Sequence, residues 1–190
     1  AGVFEDAAVL RGWLLSDRVL VPVGRGRIAV SGSVDLHGRP AYFYPEIAGY
    51  VLWWLAEPAA GVAPSERSRA AEGVIAWLAD LGRGDRWPTR VDAAAGPRVA
   101  DDWRNATVFS FDLAMLLRGL AGVAAAGIAE VPASLVARLH AELARCVTRD
   151  GRLAAHAIAD DSPPRWSTRP GPYQLKAAAA LRLSAARWPM

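Results

Sequence analysis

The pattern of hydrophobic and polar positions changes near residue 40: short, mixed patterns precede this position, and a long helical pattern follows it. Residues 3–15 have the spacing of a helix, whereas residues 18–31 alternate and are rich in valine. The Gly24-Arg25-Gly26 segment at the centre of the second stretch predicts the turn of a small β-hairpin. Residues 31–40, which contain two glycines, are predicted to form a loop. The first forty residues therefore predict one helix and one hairpin.

Beyond residue 40 the pattern is helical, and two kinds of helix alternate. One kind is apolar on nearly every face, as buried helices are, and the other is amphipathic. The order is inner, outer, inner, outer, inner, over residues 45–57, 65–81, 108–125, 132–148 and 173–187. This alternation predicts helical hairpins wound round an axis, with the inner helices parallel to one another. The N-termini of the inner helices should then lie on one rim.

The first inner helix brings a carboxylate and two aromatic side chains to this rim. Glu46, Gly49, Tyr50 and Trp53 are spaced i, i+3, i+4 and i+7, so they share one face, and Tyr44 directly precedes the helix. We interpret Gly49 as a gap through which a ligand could approach. The competing interpretation of Glu46 is a charge that stabilises the helix start, next to a proline in the first turn.

The second inner helix contains one charge in an apolar stretch. Asp112 is the only charged residue between Asn105 and Arg118. Burial of Asp112 would either raise its pKa or require a partner. The alternatives are therefore a reactive group and a structural carboxylate paired with Arg118 or with a loop arginine.

The third inner helix and the loops add candidates for binding. Lys176 is the only lysine in the chain, and it follows Tyr173 and Gln174 at the predicted helix start. Tryptophans beside proline or polar loop residues are candidates for stacking on a ligand. The further candidates are Trp87, Trp103, Trp166 and Arg169.

Composition limits the possible classes of protein. With 190 residues, 53% of them hydrophobic, the chain can bury a core, and we expect a single domain over residues 1–190. The net charge is only +3 and the arginines are scattered, which argues against nucleic-acid binding. No apolar run is long enough to cross a bilayer and no signal segment is evident, so we expect a cytoplasmic protein without membrane contact.

Metal and cofactor chemistry has little support. Cys146 is the only cysteine, which excludes an internal disulfide. Its place among apolar helix positions predicts a buried, inert thiol. The three histidines show no ligand spacing, and we predict neither a metal site nor a cofactor. Residues 101–105 match the Asp-Asp-x-x-Asn pattern by which terpene synthases hold magnesium and diphosphate, but the match precedes a helix and no second metal motif follows. A natural-product cyclase is therefore the least favoured alternative.

One segment resembles a known family. Tyr44-Pro45-Glu46-Ile47-Ala48-Gly49-Tyr50 is similar to the Tyr-Pro-Glu-x-Thr-Gly-Tyr signature of α/α-toroid proteins. These include glucuronyl C5-epimerase-like proteins and other six-hairpin, carbohydrate-active enzymes. Residues 109–112 resemble the Phe-Asp-Thr-Gly stretch that opens the next inner helix of such proteins, and residues 173–176 resemble the following one. Ala48 departs from the usual threonine, and Leu113-Ala114 departs from Thr-Gly.

The resemblance implies an incomplete (α/α) toroid, because the chain has only about half the hairpins of a full ring. A homodimer or another chain would complete it. Glu46 and Asp112 would then be a catalytic acid and base acting on a sugar-like or polyhydroxylated small molecule or glycan with an anionic group such as a uronate carboxylate. Arg169 and Lys176 would bind its anionic group, while the aromatic candidates would stack on its rings. A non-catalytic binding or accessory subunit that uses the same cleft is the alternative.

Overall fold

A computed structural model describes residues 3–93, 102–157 and 166–189, without the side chains of residues 3–5 and of Trp166. Within these ranges the chain forms six helices and one four-stranded antiparallel sheet. The helices are α1 (Val3–Leu14), α2 (Pro45–Ala56), α3 (Pro64–Leu81), α4 (Ser110–Ala126), α5 (Ala133–Ala144) and α6 (Gln174–Arg187). The strands are β1 (Leu20–Pro22), β2 (Ile28–Val34), β3 (Pro40–Phe43) and β4 (Val91–Asp92).

The predicted hairpin is present as β1 and β2. Leu20 pairs with Val30 and Pro22 pairs with Ile28. Three consecutive residues of the turn, Gly24, Arg25 and Gly26, have positive φ angles of 85°, 52° and 71°. Glycine adopts this backbone conformation without steric cost, which is why the two glycines identified the turn in the sequence.

The loop predicted over residues 31–40 is partly wrong, because β2 continues to Val34 and β3 begins at Pro40. The strand is irregular there, with shifts of register between Ser31 and Val34. Gly32 interrupts the alternation of polar and apolar side chains in this strand. A Cβ atom at Gly32 would lie 2.3 Å from Cε2 of Tyr42, so the close packing of Tyr42 requires glycine here. The fourth strand of the sheet, β4, lies beyond residue 40, where the sequence predicts only helices and the loops between them. It therefore joins the N-terminal forty residues to the rest of the chain.

Helices α2 and α4 touch through their backbones. A Cβ atom on Gly49 would lie 2.4 Å from the carbonyl oxygen of Met115, and one on Gly119 would lie 2.3 Å from that of Gly49. Paired glycines allow this close approach because no other residue lacks a Cβ. The interpretation of Gly49 as a gap for a ligand is thus wrong, since the space is filled by α4.

Helices α2, α4 and α6 run parallel, as the alternation predicted. Residues at their starts, including Tyr44, Asp112 and Tyr173, surround one cavity, and residues nearer their ends surround another. Between the two cavities, Ala177 and Ala180 of α6 pack on Met115 of α4. Helix α3 packs against α2 and β2, and α5 packs against α4 and α3.

The main core lies between these helices and the sheet. Large aliphatic side chains fill it with almost no exposure, including Leu52, Leu55, Leu78, Leu113, Leu116 and Leu139. Cys146 is buried, as expected. Trp87 is also part of this core, so the prediction that it stacks on a ligand is wrong. None of the described helices combines the length and the apolar character needed to cross a membrane.

Candidate active site

Glu46 lies in the first turn of α2. Tyr44 precedes the helix in an extended conformation, and Pro45 occupies the first helical position, where its missing N–H is not needed. The Tyr44 side chain forms no hydrogen bond that caps the helix. A negative charge on Glu46 is favourable at this end because the helix dipole is positive there. Its role at the helix start and its position in a cavity are therefore compatible.

Asp112 is positioned by the anchored start of α4. The Ser110 hydroxyl donates to the carbonyl oxygen of Ala154 at 2.7 Å, and the Ser110 amide donates to that of Ala155 at 3.1 Å. Phe109 forms an isolated β-bridge with His156. These contacts fix the first turn of α4 against residues 154–157.

A cavity of about 240 Å³ lies at the starts of α2, α4 and α6. Both carboxyl groups belong to its wall, together with two phenols and a group of aromatic, cationic and small residues. The lining residues are Tyr44, Glu46, Thr89, Trp103, Arg104, Phe109, Phe111, Asp112, Ala155, Ser167 and Tyr173. The cavity is just below the usual range for ligand pockets, roughly 300–1,000 Å³, so it suits a small molecule or one ring of a larger one.

The two carboxyl groups influence each other strongly. Burial raises the pKa of Asp112 well above its usual value, and the nearby charge of Glu46 raises it further. Burial also raises the pKa of Glu46, but the Tyr44 hydroxyl donates a hydrogen bond to Glu46 and partly opposes this shift. Two like charges in a desolvated site cannot both form easily. The pair therefore favours one shared proton, held on Asp112.

One carboxyl oxygen of Asp112 has no partner in the described part of the chain. This atom, Oδ2, is buried and has no hydrogen-bond partner there, and the residue as a whole is only 8% exposed. The predicted alternative, an ion pair with Arg118, does not form because the Arg118 guanidinium lies over the Trp53 ring at 3.5 Å from its centroid. An unpaired buried carboxyl oxygen costs free energy of folding, which is characteristic of functional sites.

The two tyrosines of the first motif differ in position. Burial is the main reason why the pKa of the Tyr44 phenol is raised, and the charges on Asp112 and Glu46 raise it further. Burial also raises the pKa of Tyr50, with a contribution from Glu46, so its phenol lies near the pair. Tyr50 is nevertheless not part of the cavity wall.

Aromatic rings form two sides of the cavity. Trp103 meets Phe109 edge to face, with centroids 6.2 Å apart, and Phe111 meets Tyr173 in the same way at 5.8 Å. The Tyr173 hydroxyl donates to the carbonyl oxygen of Arg169 at 2.6 Å. Such rings present apolar faces and edges to a ligand.

The cation in the cavity wall is Arg104, which the sequence interpretation missed. Asp102 holds it: an oxygen of this carboxylate accepts from the Arg104 amide at 3.0 Å and from its guanidinium at 3.1 Å. Asp102 also pairs with Arg90 at 2.9 Å. The available signal was the position of Arg104 inside the Asp-Asp-x-x-Asn match, where Trp103 was already a candidate.

The Asp-Asp-x-x-Asn match itself has structural roles in its described residues. Asn105 accepts hydrogen bonds from the amides of Thr89 and Arg90 and donates to the carbonyl oxygen of Arg90. Asp102 is engaged by two arginines, whereas Asp101 lies outside the described residues. Within residues 3–93, 102–157 and 166–189, no group of three or more His, Cys, Asp or Glu side chains could hold a metal ion.

Several predicted binding residues lie away from this cavity. Trp53 lines a different cavity with Arg118, further along the same helices. Arg169 and Lys176 are exposed and do not line the wall, and the Gln174 amide donates to the carbonyl oxygen of Leu153 at 3.2 Å. The side chain of Trp166 lies outside the described part of the structure. Glu46, Asp112, Tyr44, Trp103 and Tyr173 are the predicted residues that the fold brings together.

No protein family, curated protein or solved structure matches this chain.

Proposed function

We propose that the chain is an enzyme that performs acid–base chemistry on a sugar-like or polyhydroxylated small molecule in the cavity of Glu46 and Asp112. The observation that carries this proposal is the pair of carboxyl groups in one cavity wall, half-buried Glu46 and buried Asp112, the second of which has an oxygen without a partner. Pairs of carboxyl groups with separated pKa values are a common arrangement for a general acid and a general base.

The environments assign the two roles. Asp112 is the more deeply buried group, and its raised pKa keeps it protonated, so it serves as the general acid. Glu46 accepts the hydrogen bond of the Tyr44 phenol, which favours its ionised form, so it serves as the general base. A proton would move from Asp112 to a leaving or carbonyl oxygen while Glu46 takes one from the substrate or from water.

The rest of the wall defines the substrate class. Aromatic edges and faces suit the apolar faces of a sugar ring, and Arg104 suits an anionic substituent such as a carboxylate. Hydrolysis, elimination and epimerisation all use such a pair of carboxyl groups, so the reaction type stays open.

We further propose that the helices form an incomplete toroid-like array, which a second copy or another chain completes, and that the protein is cytoplasmic.

The test compares conservative variants of the two carboxyl groups. The probes are aryl glycosides and uronate-containing oligosaccharides, and turnover is measured for the wild type, Asp112→Asn and Glu46→Gln. We expect each substitution to lower kcat by roughly 10²–10⁴-fold, because a positioned acid or base contributes about this much. Glu130→Gln, an exposed carboxylate away from the cavity, is the control and should not change turnover. Full activity of Asp112→Asn on a turned-over substrate would remove Asp112 from the mechanism.

A non-catalytic binding subunit is the second candidate. The observation that favours it is the Tyr44 hydrogen bond, which already occupies the Glu46 carboxylate. On this alternative, glycan affinity survives Glu46→Gln and no probe is turned over. Calorimetry on the wild type and on this variant separates the two candidates.

A further inference from the structure

A second cavity lies between the same three helices, further towards their C-terminal ends. Its volume is about 330 Å³. Trp53 of α2, Arg118 and Gly122 of α4, and Leu183 and Arg187 of α6 belong to its wall. None of its lining residues belongs to the cavity of Glu46 and Asp112. Met115, Ala177 and Ala180 pack between helices α4 and α6 in the intervening region.

Arg118 is held in this wall without a carboxylate partner among the described residues. Its guanidinium stacks on the Trp53 ring, 3.5 Å from the centroid, so the planar group is fixed against an apolar surface. Its Nε atom is buried and donates to no acceptor in the described part of the chain. A buried N–H without an acceptor costs free energy of folding, but this atom is closed to solvent, so the terminal N–H groups of the guanidinium are the donors that a ligand in the cavity would meet.

Arg187 supplies a second positive charge to the same cavity. It lies in the last turn of α6 and forms no ion pair with a described residue. Helix C-termini are partly negative, which helps to explain cations at this end of the bundle. That attraction is not an ion pair, however, and none of the described residues that line the cavity is a carboxylate.

The remaining wall is apolar and made largely of small residues. Ala121, Gly122 and Ala125 of α4 form part of it, and a Cβ atom at Gly122 would lie 3.2 Å from Cδ1 of Trp53. The Leu183 side chain is 54% exposed. Arginine forks bind carboxylate and phosphate groups through paired hydrogen bonds, and an apolar surface beside them favours an apolar body on the same ligand.

We propose that this second cavity binds a small molecule that carries a carboxylate or phosphate group on an apolar body. The oxyanion accepts hydrogen bonds from Arg118 and Arg187, and the apolar body lies against Trp53 and the small residues of α4. This site differs from the proposed active site in its residues and in its ligand, so either can fail without the other.

The experiment uses simple probes in isothermal titration calorimetry. Benzoate and phenyl phosphate present the two oxyanions on an apolar ring, benzyl alcohol is a neutral analogue, and acetate and inorganic phosphate lack the ring. We expect benzoate and phenyl phosphate to bind, benzyl alcohol to show no measurable binding, and the ring-free anions to bind at least about tenfold more weakly than their ring-bearing counterparts. Phenyl phosphate and benzoate together show which oxyanion is preferred.

Variants locate the binding on Arg118. Arg118→Gln should weaken benzoate binding by about tenfold or more, because it removes a charged donor, and Arg187→Gln should weaken it by a smaller factor. Arg182→Gln is the matched control, since this arginine is exposed on α6 but does not line the cavity. Thermal melts check that each variant is folded. If Arg118→Gln unfolds, Arg187→Gln still tests the proposal, because Arg187 is exposed and its substitution should not disturb the fold. Unchanged affinity in a folded Arg118→Gln or Arg187→Gln protein, or equal binding of benzyl alcohol and benzoate, would overturn the proposal.

Discussion

Asp112 and Glu46 each stand in the first turn of a buried helix, where a negative charge is electrostatically favourable. Burial acts in the opposite direction, and for Asp112 the charge of Glu46 adds to it. The result is a carboxyl group that holds its proton in the folded chain more tightly than in the unfolded one. This difference makes stability depend on pH.

The first prediction concerns that dependence. Between the ordinary aspartate pKa of about 3.9 and the raised pKa in the folded chain, the folded state binds more protons than the unfolded state. The free energy of unfolding therefore falls as the pH rises through this interval. Asp112→Asn removes the charge, so it should stabilise the chain by roughly 0.5–2 kcal/mol at pH 8, as substitutions that relieve a strained functional site commonly do.

Urea unfolding of the wild type and of Asp112→Asn over a pH series measures this effect. The difference should shrink as the pH falls below about 3.9, where the aspartate becomes protonated in both states. Asp6→Asn, on an exposed residue of α1, is the control. A constant destabilisation by Asp112→Asn at every pH would show instead that the carboxylate is a structural acceptor.

The second prediction concerns the hydrogen bond between Tyr44 and Glu46. Because the phenol donates to Glu46 and lowers the pKa of that carboxyl, Tyr44→Phe should raise the pKa of Glu46. In an active enzyme the acidic limb of kcat/KM, which reports the base, should move to higher pH. Carbon-13 NMR titration of the glutamate carboxyl groups checks the same shift without a substrate. Tyr50→Phe is the control, and equal profiles for both variants would contradict the assigned hydrogen bond.

At the level of single residues, the sequence located part of the cavity. Glu46 and Asp112 were identifiable because each is a lone carboxylate in an apolar helix. Arg104 was not, because only the local turn and its bond to Asp102 direct that side chain to the wall rather than to solvent. Trp53 was misplaced because helical spacing fixes a face but not which part of that face a neighbouring helix covers.

At the level of elements, the contact between α2 and α4 gives the third prediction. Gly49→Ala places a Cβ atom 2.4 Å from the carbonyl oxygen of Met115, so the two backbones must separate. We expect a loss of about 1–3 kcal/mol in the free energy of unfolding, the usual cost of overpacking. Displacing α2 relative to α4 would also move Glu46 relative to Asp112.

Gly12→Ala provides the matched control, since Gly12 is also helical but a Cβ atom there meets nothing within 4 Å. That substitution should be neutral or stabilising by up to about 1 kcal/mol, because alanine is the better helix former. Chemical denaturation compares the two variants. Equal effects would mean that the helices can move apart freely and that the glycine contact is unimportant.

The elements themselves were predicted unevenly, and for a physical reason. The helices from α2 to α6 have local signals, since each one carries a long apolar face or an amphipathic pattern, and their observed bounds lie close to the expected ones. Strand β4 has only two residues and exists through its pairing with β3, which no local pattern reveals. The bulged end of β2 was hidden by serines and a glycine that are typical of loops.

At the level of the whole molecule, the parallel order of α2, α4 and α6 followed from the alternation of buried and amphipathic helices. It brings three helix starts to one cavity, and this is the step by which the sequence pattern leads to a candidate site. The ring that the family resemblance implies is a different matter. It depends on what lies beyond α6 and α1, and the hydrophobic pattern within one chain carries no information about a second chain.

The fourth prediction concerns association. On the resemblance to a toroid, the edges of a half-ring are completed by another chain, and α6 presents an exposed apolar residue, Leu175, with 75% of its surface accessible. On α1, Val9 and Leu10 are exposed by 74% and 56%. The resemblance implies that a second chain would cover such exposed side chains, so we expect a dimer in solution. Light scattering at several concentrations should give twice the chain mass at the higher ones.

Leu175→Asp should weaken the dimer by about tenfold or more, because burying a charge in an interface is costly. Leu36→Asp, at a fully exposed loop position, should leave it unchanged. A strict monomer at every concentration would exclude self-association as the way in which the ring is completed, and would leave the acid–base proposal to be tested on an open cleft.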